Sequence, residues 1–183
     1  MKTAPTLHTE RLILRSFTLE DAADVQRLAN DPDMASTTDE IEYPYEDGEA
    51  EEWIQWCQEC FKDRERVNFA VTLRTDGTLI GKVSLTFRIH LPYNEAELGY
   101  WIGKPYWNCG YCTEAAKAVV AYGFCEHDVD LIYAYYFKRN PASGRVLEKI
   151  GMHYAEYIPK DPERYFFEDT IHYRILKCEF AEK

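Results

Sequence analysis

The sequence predicts a mixed α/β sandwich, with helices packed on a single sheet. Two observations support it. Short segments of alternating or continuous apolar residues recur along the whole chain, as strands do. Between them lie stretches with apolar residues three and four apart, opened by capping residues and closed by glycine, as helices are. No internal repeat, low-complexity tract or linker interrupts them. The 183 residues are therefore expected to form a single domain over 1–183, long enough to bury a continuous core.

The elements follow in order. Residues 11–15 alternate like a strand, with Leu12 and Leu14 on one side. Thr18 then reads as an N-cap, followed by acids in the first turn of a helix that carries Ala22, Val25, Leu28 and Ala29 to about Asn30. A second helix covers residues 48–63, where Trp53, Ile54, Cys57, Cys60 and Phe61 keep helical spacing. Two strands, 67–73 and 79–87, flank the turn Thr75-Asp76-Gly77-Thr78. A further strand runs from Glu95 to Ile102, and the helix after it shows Cys112, Ala115, Ala116, Val119, Val120 and Gly123 on one face. Residues 131–137 form an apolar, aromatic strand. Asn140 as N-cap and Pro141 at the first position open a last helix, with Val146, Leu147 and Ile150 buried and Gly151 ending it. Strands at 152–157 and about 165–178 close the chain.

Composition removes several classes of function. With 21 lysines and arginines against 32 aspartates and glutamates, the net charge is −11. Binding to phosphate backbones rests on basic clusters, and none stands out, so nucleic acid is not an expected partner. No apolar run approaches the roughly 20 residues that span a bilayer, and residues 1–6 lack the apolar core of a signal peptide. A cytoplasmic protein without a membrane partner is expected. Acidic stretches at 39–42 and 46–52 suit a solvated helix start and loop, or would attract a cationic amine. The 14 tyrosines and 4 tryptophans suggest aromatic surfaces around a groove.

The six cysteines include Cys57-x-x-Cys60 and Cys109-x-x-Cys112, which resemble zinc half-sites. The first pair falls on the core face of a helix, and the second straddles a turn glycine. Reduced thiols and no metal are expected. The five histidines are scattered, without metal or nucleophile spacing.

The most informative segment is 104–116. It leaves an apolar strand, turns at Gly110 and enters a strongly periodic helix. Such a turn aims unpaired backbone N–H groups and the positive end of a helix dipole at one spot, where a phosphate or pyrophosphate fits. A side chain at Gly110 would obstruct close approach.

Four fragments taken together resemble the GNAT superfamily of acetyl-CoA-dependent N-acetyltransferases, and within it the RimJ/RimL branch that modifies ribosomal-protein N-termini. They are Thr9 to Arg15, Glu97-Leu98-Gly99-Tyr100-Trp101-Ile102, Tyr106 to Ala115, and Asn140 to Met152. The resemblance covers nearly the whole chain. It implies a mostly antiparallel sheet of six to seven strands, splayed at the central strand and flanked by about four helices.

What the resemblance implies can be placed by residue. Tyr100, Trp101 and Ile102 occupy the splayed segment whose backbone pairs with the pantetheine arm. Asn108, Cys109, Gly110, Tyr111, Cys112 and Thr113 form the loop that cradles the pyrophosphate. Two positions depart from the common pattern: Asn108, where glycine is common, and Cys112, where glycine or alanine is preferred. Asn140 would bond the pantetheine amide. Glu97 is the candidate base, with Glu95 in reserve, and a backbone N–H near Trp101 or Ile102 would meet the oxyanion. The tyrosine that many relatives place seven residues after Asn140 is Leu147 here, and Ser143 is the substitute proton donor. The implied reaction carries acetyl from acetyl-CoA to a primary amine by direct attack in a ternary complex. The acceptor would be a protein or peptide N-terminus, as on ribosomal proteins, or a small amine, and the resemblance admits a homodimer. The alternative is a CoA-binding regulatory module without catalysis. Residues 34–63 and 89–94 are expected to shape the acceptor side.

Overall fold

The computed structural model describes residues 4–90, 93–161 and 168–181. Among the described residues, eight strands form one sheet in the order β1-β2-β3-β4-β5-β6-β8-β7. They are β1 (Leu7–His8), β2 (Leu12–Arg15), β3 (Arg66–Leu73), β4 (Leu79–His90), β5 (Tyr93–Ile102), β6 (Leu131–Phe137), β7 (His153–Ile158) and β8 (Thr170–Leu176). Every pairing is antiparallel except β5 with β6. The strand beyond the expected seven is β1, two residues paired with Leu14 and Ile13. Too short to show a period, it was not legible as a strand.

The helices are α1 (Ala22–Ala29), α2 (Pro32–Ala35), α3 (Glu49–Lys62), α4 (Tyr111–Glu126), α5 (Pro141–Lys149) and α6 (Lys177–Ala181), with short 3-10 turns at Leu19–Asp21 and Lys104–Tyr106. The four longer ones are those expected. α2 is a single turn started by Asp31, whose side chain accepts from the Asp33 N–H at 2.8 Å. α6 corrects the last strand: β8 stops at Leu176, and Cys178 lies on a helix. Glu179 causes the change, accepting the Leu176 N–H at 2.8 Å, while Phe180 packs on Phe124 with ring centroids 5.3 Å apart. Residues 165–167 of the predicted strand lie outside the described residues.

Alternation along the strands sorts the core into two layers. Val67, Phe69, Val71, Val83, Leu85, Leu98 and Ile132 face α4 and α5 and meet Ala116, Val119, Val120 and Leu147. On the opposite face, Ala70, Leu79 and Trp101 meet Val25, Leu28, Met34 and Ile54 from α1, α2 and α3. Cys57 and Cys60 belong to this second side of α3 and are buried, as their spacing implied. Burial also pushes the Cys57 thiol up to about 12. Among the described residues no helix is long and apolar enough to cross a membrane.

β5 is where the sheet opens. It stays paired with β4 along its length, to Gly81↔Ile102, but with β6 only at Glu95↔Leu131, Ala96↔Ile132 and Glu97↔Tyr133. β6 continues along β8 as far as Phe137↔Thr170. The sheet therefore divides into two arms beyond Glu97, leaving a gap between residues 98–102 of β5 and the end of β6.

The entry to α1 depends on a buried ion pair. Asp21, 6% exposed, accepts two bonds from the Arg15 guanidinium at 2.7 Å each and one from the Thr18 N–H at 2.8 Å. Burial alone would raise its carboxyl; Arg15 and Thr18 outweigh that and hold it below the usual value. A depressed carboxylate stabilises the fold above its unfolded pKa, and that contribution is lost as pH falls through the folded value. Asp21→Asn is expected to cost about 1–3 kcal/mol in urea unfolding near neutral pH. The gap between variant and parent should shrink below about pH 4.

Candidate active site

The loop after β5 is built from two left-handed residues. Asn108 has φ 60° and Gly110 φ 81°, and α4 begins at Tyr111. Alternating handedness of this kind turns successive N–H groups toward one side, at the positive end of a sixteen-residue helix. A Cβ on Gly110 would combine an unfavourable φ with a 3.3 Å approach to Arg11 Nη2.

Arg11 shows what holds the loop in place. Its guanidinium donates from Nε to Glu114 Oε2 at 2.7 Å and from Nη1 to the Cys109 carbonyl at 2.9 Å, and it stacks 4.6 Å from the Tyr111 ring centre. The Arg11 N–H and Thr9 Oγ1 both donate to Glu114 Oε1, at 2.8 and 2.6 Å. The β1–β2 turn thus pins the first turn of α4. Strand reading placed Arg11 in a strand, where this role was invisible. The available signal was a charged pair, Arg11 and Glu114, within segments already singled out.

A groove of about 440 Å³ runs from this loop to the gap in the sheet. Of the residues expected to hold a cofactor, Tyr100, Trp101, Ile102, Asn108, Gly110, Tyr111, Cys112, Thr113, Asn140 and Ser143 all line it. Cys109 does not. Its side chain is exposed and its Sγ donates to the Trp107 carbonyl at 3.4 Å. α5 adds Arg145 and Lys149, one helical turn apart, giving the groove two cations that spacing alone could have suggested.

The gap-facing backbone is set by the ladder. Gly103 N donates to Ile80 O, so by antiparallel alternation Trp101 and Gly99 turn their backbone groups to β4. Leu98, Tyr100 and Ile102 turn theirs to the gap. The Ile102 carbonyl already accepts from Trp107 Nε1, which leaves its N–H as the group available there.

Asn140 occupies the N-cap position of α5, but its side chain makes no cap bond. Instead Nδ2 donates to the Thr37 carbonyl across the gap at 3.4 Å. Ser143, three residues further on, lines the groove. Its Oγ lies 2.9 Å from the Tyr100 hydroxyl, which is 3.1 Å from the Ser143 carbonyl. Burial pushes the Tyr100 phenol well above its ordinary value, so it stays protonated. Burial also pushes the Cys112 thiol up to about 12, leaving an uncharged lining beside the groove.

On the α1/α3 face the gap opens into a second, smaller pocket of about 70 Å³. Thr37, Tyr100 and Ser143 line both cavities, so the two meet there. Glu97 forms the floor of the smaller pocket, and Glu95 is not part of its wall. Glu97 Oε2 accepts from Tyr133 OH at 3.0 Å and from Arg88 Nη2 at 3.3 Å. Asp39 stands on the wall, accepting from Tyr135 OH at 2.8 Å. His172 stacks on Tyr135 with centroids 5.3 Å apart, and burial pushes its imidazole below the usual value, toward the neutral form. Of the stretches expected to shape this side, residues 37–40 do so. Residues 91–92 of the other lie outside the described residues.

The chain that carries this site has relatives among known proteins. A family model described as an acetyltransferase (GNAT) domain matches residues 11–153. The chain belongs to the GNAT acetyltransferase family. This acetyltransferase is 31% identical over 180 residues to the uncharacterized N-acetyltransferase YnaD of Bacillus subtilis, covering 94% of this chain and 97% of that one. A GNAT-family acetyltransferase from Bacillus anthracis superposes with a TM-score of 0.79 at 29% identity, covering 94% and 99% of the two chains. The spermidine N-acetyltransferase of Vibrio cholerae, solved with CoA and spermine, shares the fold at 21% identity with a TM-score of 0.77, covering 94% and 99%. The family match and the curated relative identify the enzyme as an N-acetyltransferase, acting on amines.

Gly110→Ala is expected to lower the stability of the acetyltransferase by about 1–2 kcal/mol, because the left-handed conformation then carries a Cβ. Gly110→Asn should cost less, as asparagine tolerates that region better. Thermal unfolding of the two variants side by side checks this.

Proposed function

We propose that the enzyme transfers acetyl from acetyl-CoA to a primary amine, either a protein or peptide N-terminus or a small amine, by direct attack in a ternary complex. The observation that carries this reading is the meeting of the two cavities at Thr37, Tyr100 and Ser143. The groove suits the cosubstrate: its loop offers backbone N–H groups beside α4, and Arg145 and Lys149 offer positive charge to phosphates. Acetyl-CoA, once bound, supplies the activated thioester.

The chain's own groups then divide the work. Asp39 and Glu97 attract the ammonium, and Glu97 takes its proton, directly or through a water. The freed nitrogen attacks the acetyl carbonyl carbon. The Ile102 N–H, facing the gap, donates to the carbonyl oxygen as charge develops there. As the carbon–sulfur bond breaks, the Ser143 hydroxyl gives its proton to the leaving thiolate. Tyr100, protonated and 2.9 Å away, is placed to replace it, and the proton that the attacking nitrogen sheds on becoming an amide restores the phenol. Tyr100 thus has a role that its backbone position alone did not suggest. It supplies the phenol that Leu147 does not. The peptide side of the acceptor range rests on the RimJ/RimL resemblance; the carboxylates suit any cationic amine.

The test is a panel of peptides, polyamines and aminoglycosides incubated with acetyl-CoA and read by product mass. At least one should gain an acetyl group. Glu97→Gln is expected to lower kcat about 10²-fold or more, with the larger loss at low pH, where the amine is fully protonated. Ser143→Ala should lower kcat about tenfold or more while calorimetry shows acetyl-CoA binding little changed. Tight acetyl-CoA binding with no acetylated product across the panel would favour the regulatory-module alternative.

A further inference from the structure

Residues 36–41 cross the mouth of the gap as a strap that is tied to both arms of the sheet. On one arm, the Thr37 carbonyl accepts from Asn140 and Asp39 accepts from Tyr135. On the other, Glu40 Oε1 accepts from Arg66 Nη2 at 2.7 Å and Oε2 accepts from Lys82 Nζ. Arg66 is itself fixed, donating from Nε to Thr86 Oγ1 at 2.6 Å and lying 5.4 Å from the Trp56 ring centre.

Lys82 is the unusual member. It sits in the interior of β4 opposite Ala70 and Trp101, with 0% of its side chain exposed. Burial pushes its ammonium down, and Glu40 acts against that. Burial likewise pushes Glu40 up, but Lys82 and Arg66 outweigh it and keep the carboxyl below its usual value. An apolar side chain of similar volume would pack in such a strand at least as stably as a buried ion pair. Stability therefore does not account for a lysine there. Its specific effect is to fix Glu40, and so the neighbouring Asp39, over the acceptor pocket.

We propose that Lys82 is a positioning residue for the acceptor: by holding Glu40 it keeps the strap closed and sets Asp39 at the pocket wall opposite Glu97. Asp39 is the group the acceptor meets, and Lys82 acts through two intermediaries without touching it. The kinetic half of this inference rests on the amine-acetyltransferase reading. The conformational half does not.

The decisive variant is Glu40→Gln/Lys82→Met, which removes the buried ammonium and its carboxylate partner together. Glu40→Gln alone leaves an uncompensated buried ammonium and should lose stability, which the double variant regains. Hydrogen exchange of the backbone amides of residues 36–41 should then quicken about tenfold in the double variant, with α4 unchanged. Its acetyl-CoA affinity should match the parent. For whichever panel amine the parent acetylates best, KM should rise about tenfold while kcat changes less than about threefold. Parent-like exchange across the strap would overturn the proposal even if no acceptor were found. So would a KM that returns to the parent value along with stability, since that marks a structural role only.

Discussion

Everything in this molecule that bears on chemistry depends on β5 parting from β6 after three paired residues. Up to Glu97 and Tyr133 the two strands share a parallel ladder. Beyond that point each is satisfied on its far side, β5 by β4 and β6 by β8. The facing edges are left with backbone groups that need other partners, because an unpaired buried peptide group is costly. The chain supplies some of these from nearby side chains. Trp107, for example, covers the Ile102 carbonyl. The groups still facing the gap at Leu98 and Tyr100, with the Ile102 N–H, are those a ligand would meet.

The same division explains how a strongly acidic chain builds ordered polar sites. Its net charge of −11 favours cations in general but says little about position. Position comes from pairing. Glu114 is enclosed by Arg11 and Thr9, Asp21 by Arg15, and Glu40 by Lys82 and Arg66. Each pair ties a loop to a strand or a helix end. Glu97 and Asp39 differ: a tyrosine hydroxyl holds each, Arg88 also pairs with Glu97, and both carboxylates still line a cavity.

Most of the fold was legible because its long elements have clear periods and clear ends. The face of α4 carrying Ala115, Ala116, Val119 and Val120 is buried as its spacing required, and Gly48, Gly77 and Gly151 all take the positive φ that their places at ends and turns implied. The groove was legible for a related reason. A strand, a turn glycine and a helix start are neighbours in sequence as well as in space. What could not be read were contacts across the chain. Thr37, Asp39 and Glu40 reach Asn140, Tyr135 and Lys82 over separations of 42 to 103 residues, and no local pattern encodes such meetings. Asn140 takes the N-cap position read for it, but its side chain bonds the distant Thr37 carbonyl in place of a local partner. The end of β8 was misread, where one glutamate turned apolar residues into a helix.

The two layers of the core have a further consequence for traffic through the site. The wide groove opens beside α4 and α5, and the small pocket opens on the face of α1 and α3. Under the proposed reaction, donor and acceptor would arrive from opposite sides of the sheet and touch only through its aperture. Neither would have to pass the other to enter or to leave. Such an arrangement imposes no order of addition by steric means, and it lets the two mouths diverge independently in evolution. A new acceptor requires changes on one face of the sheet, while the donor's face can stay as it is.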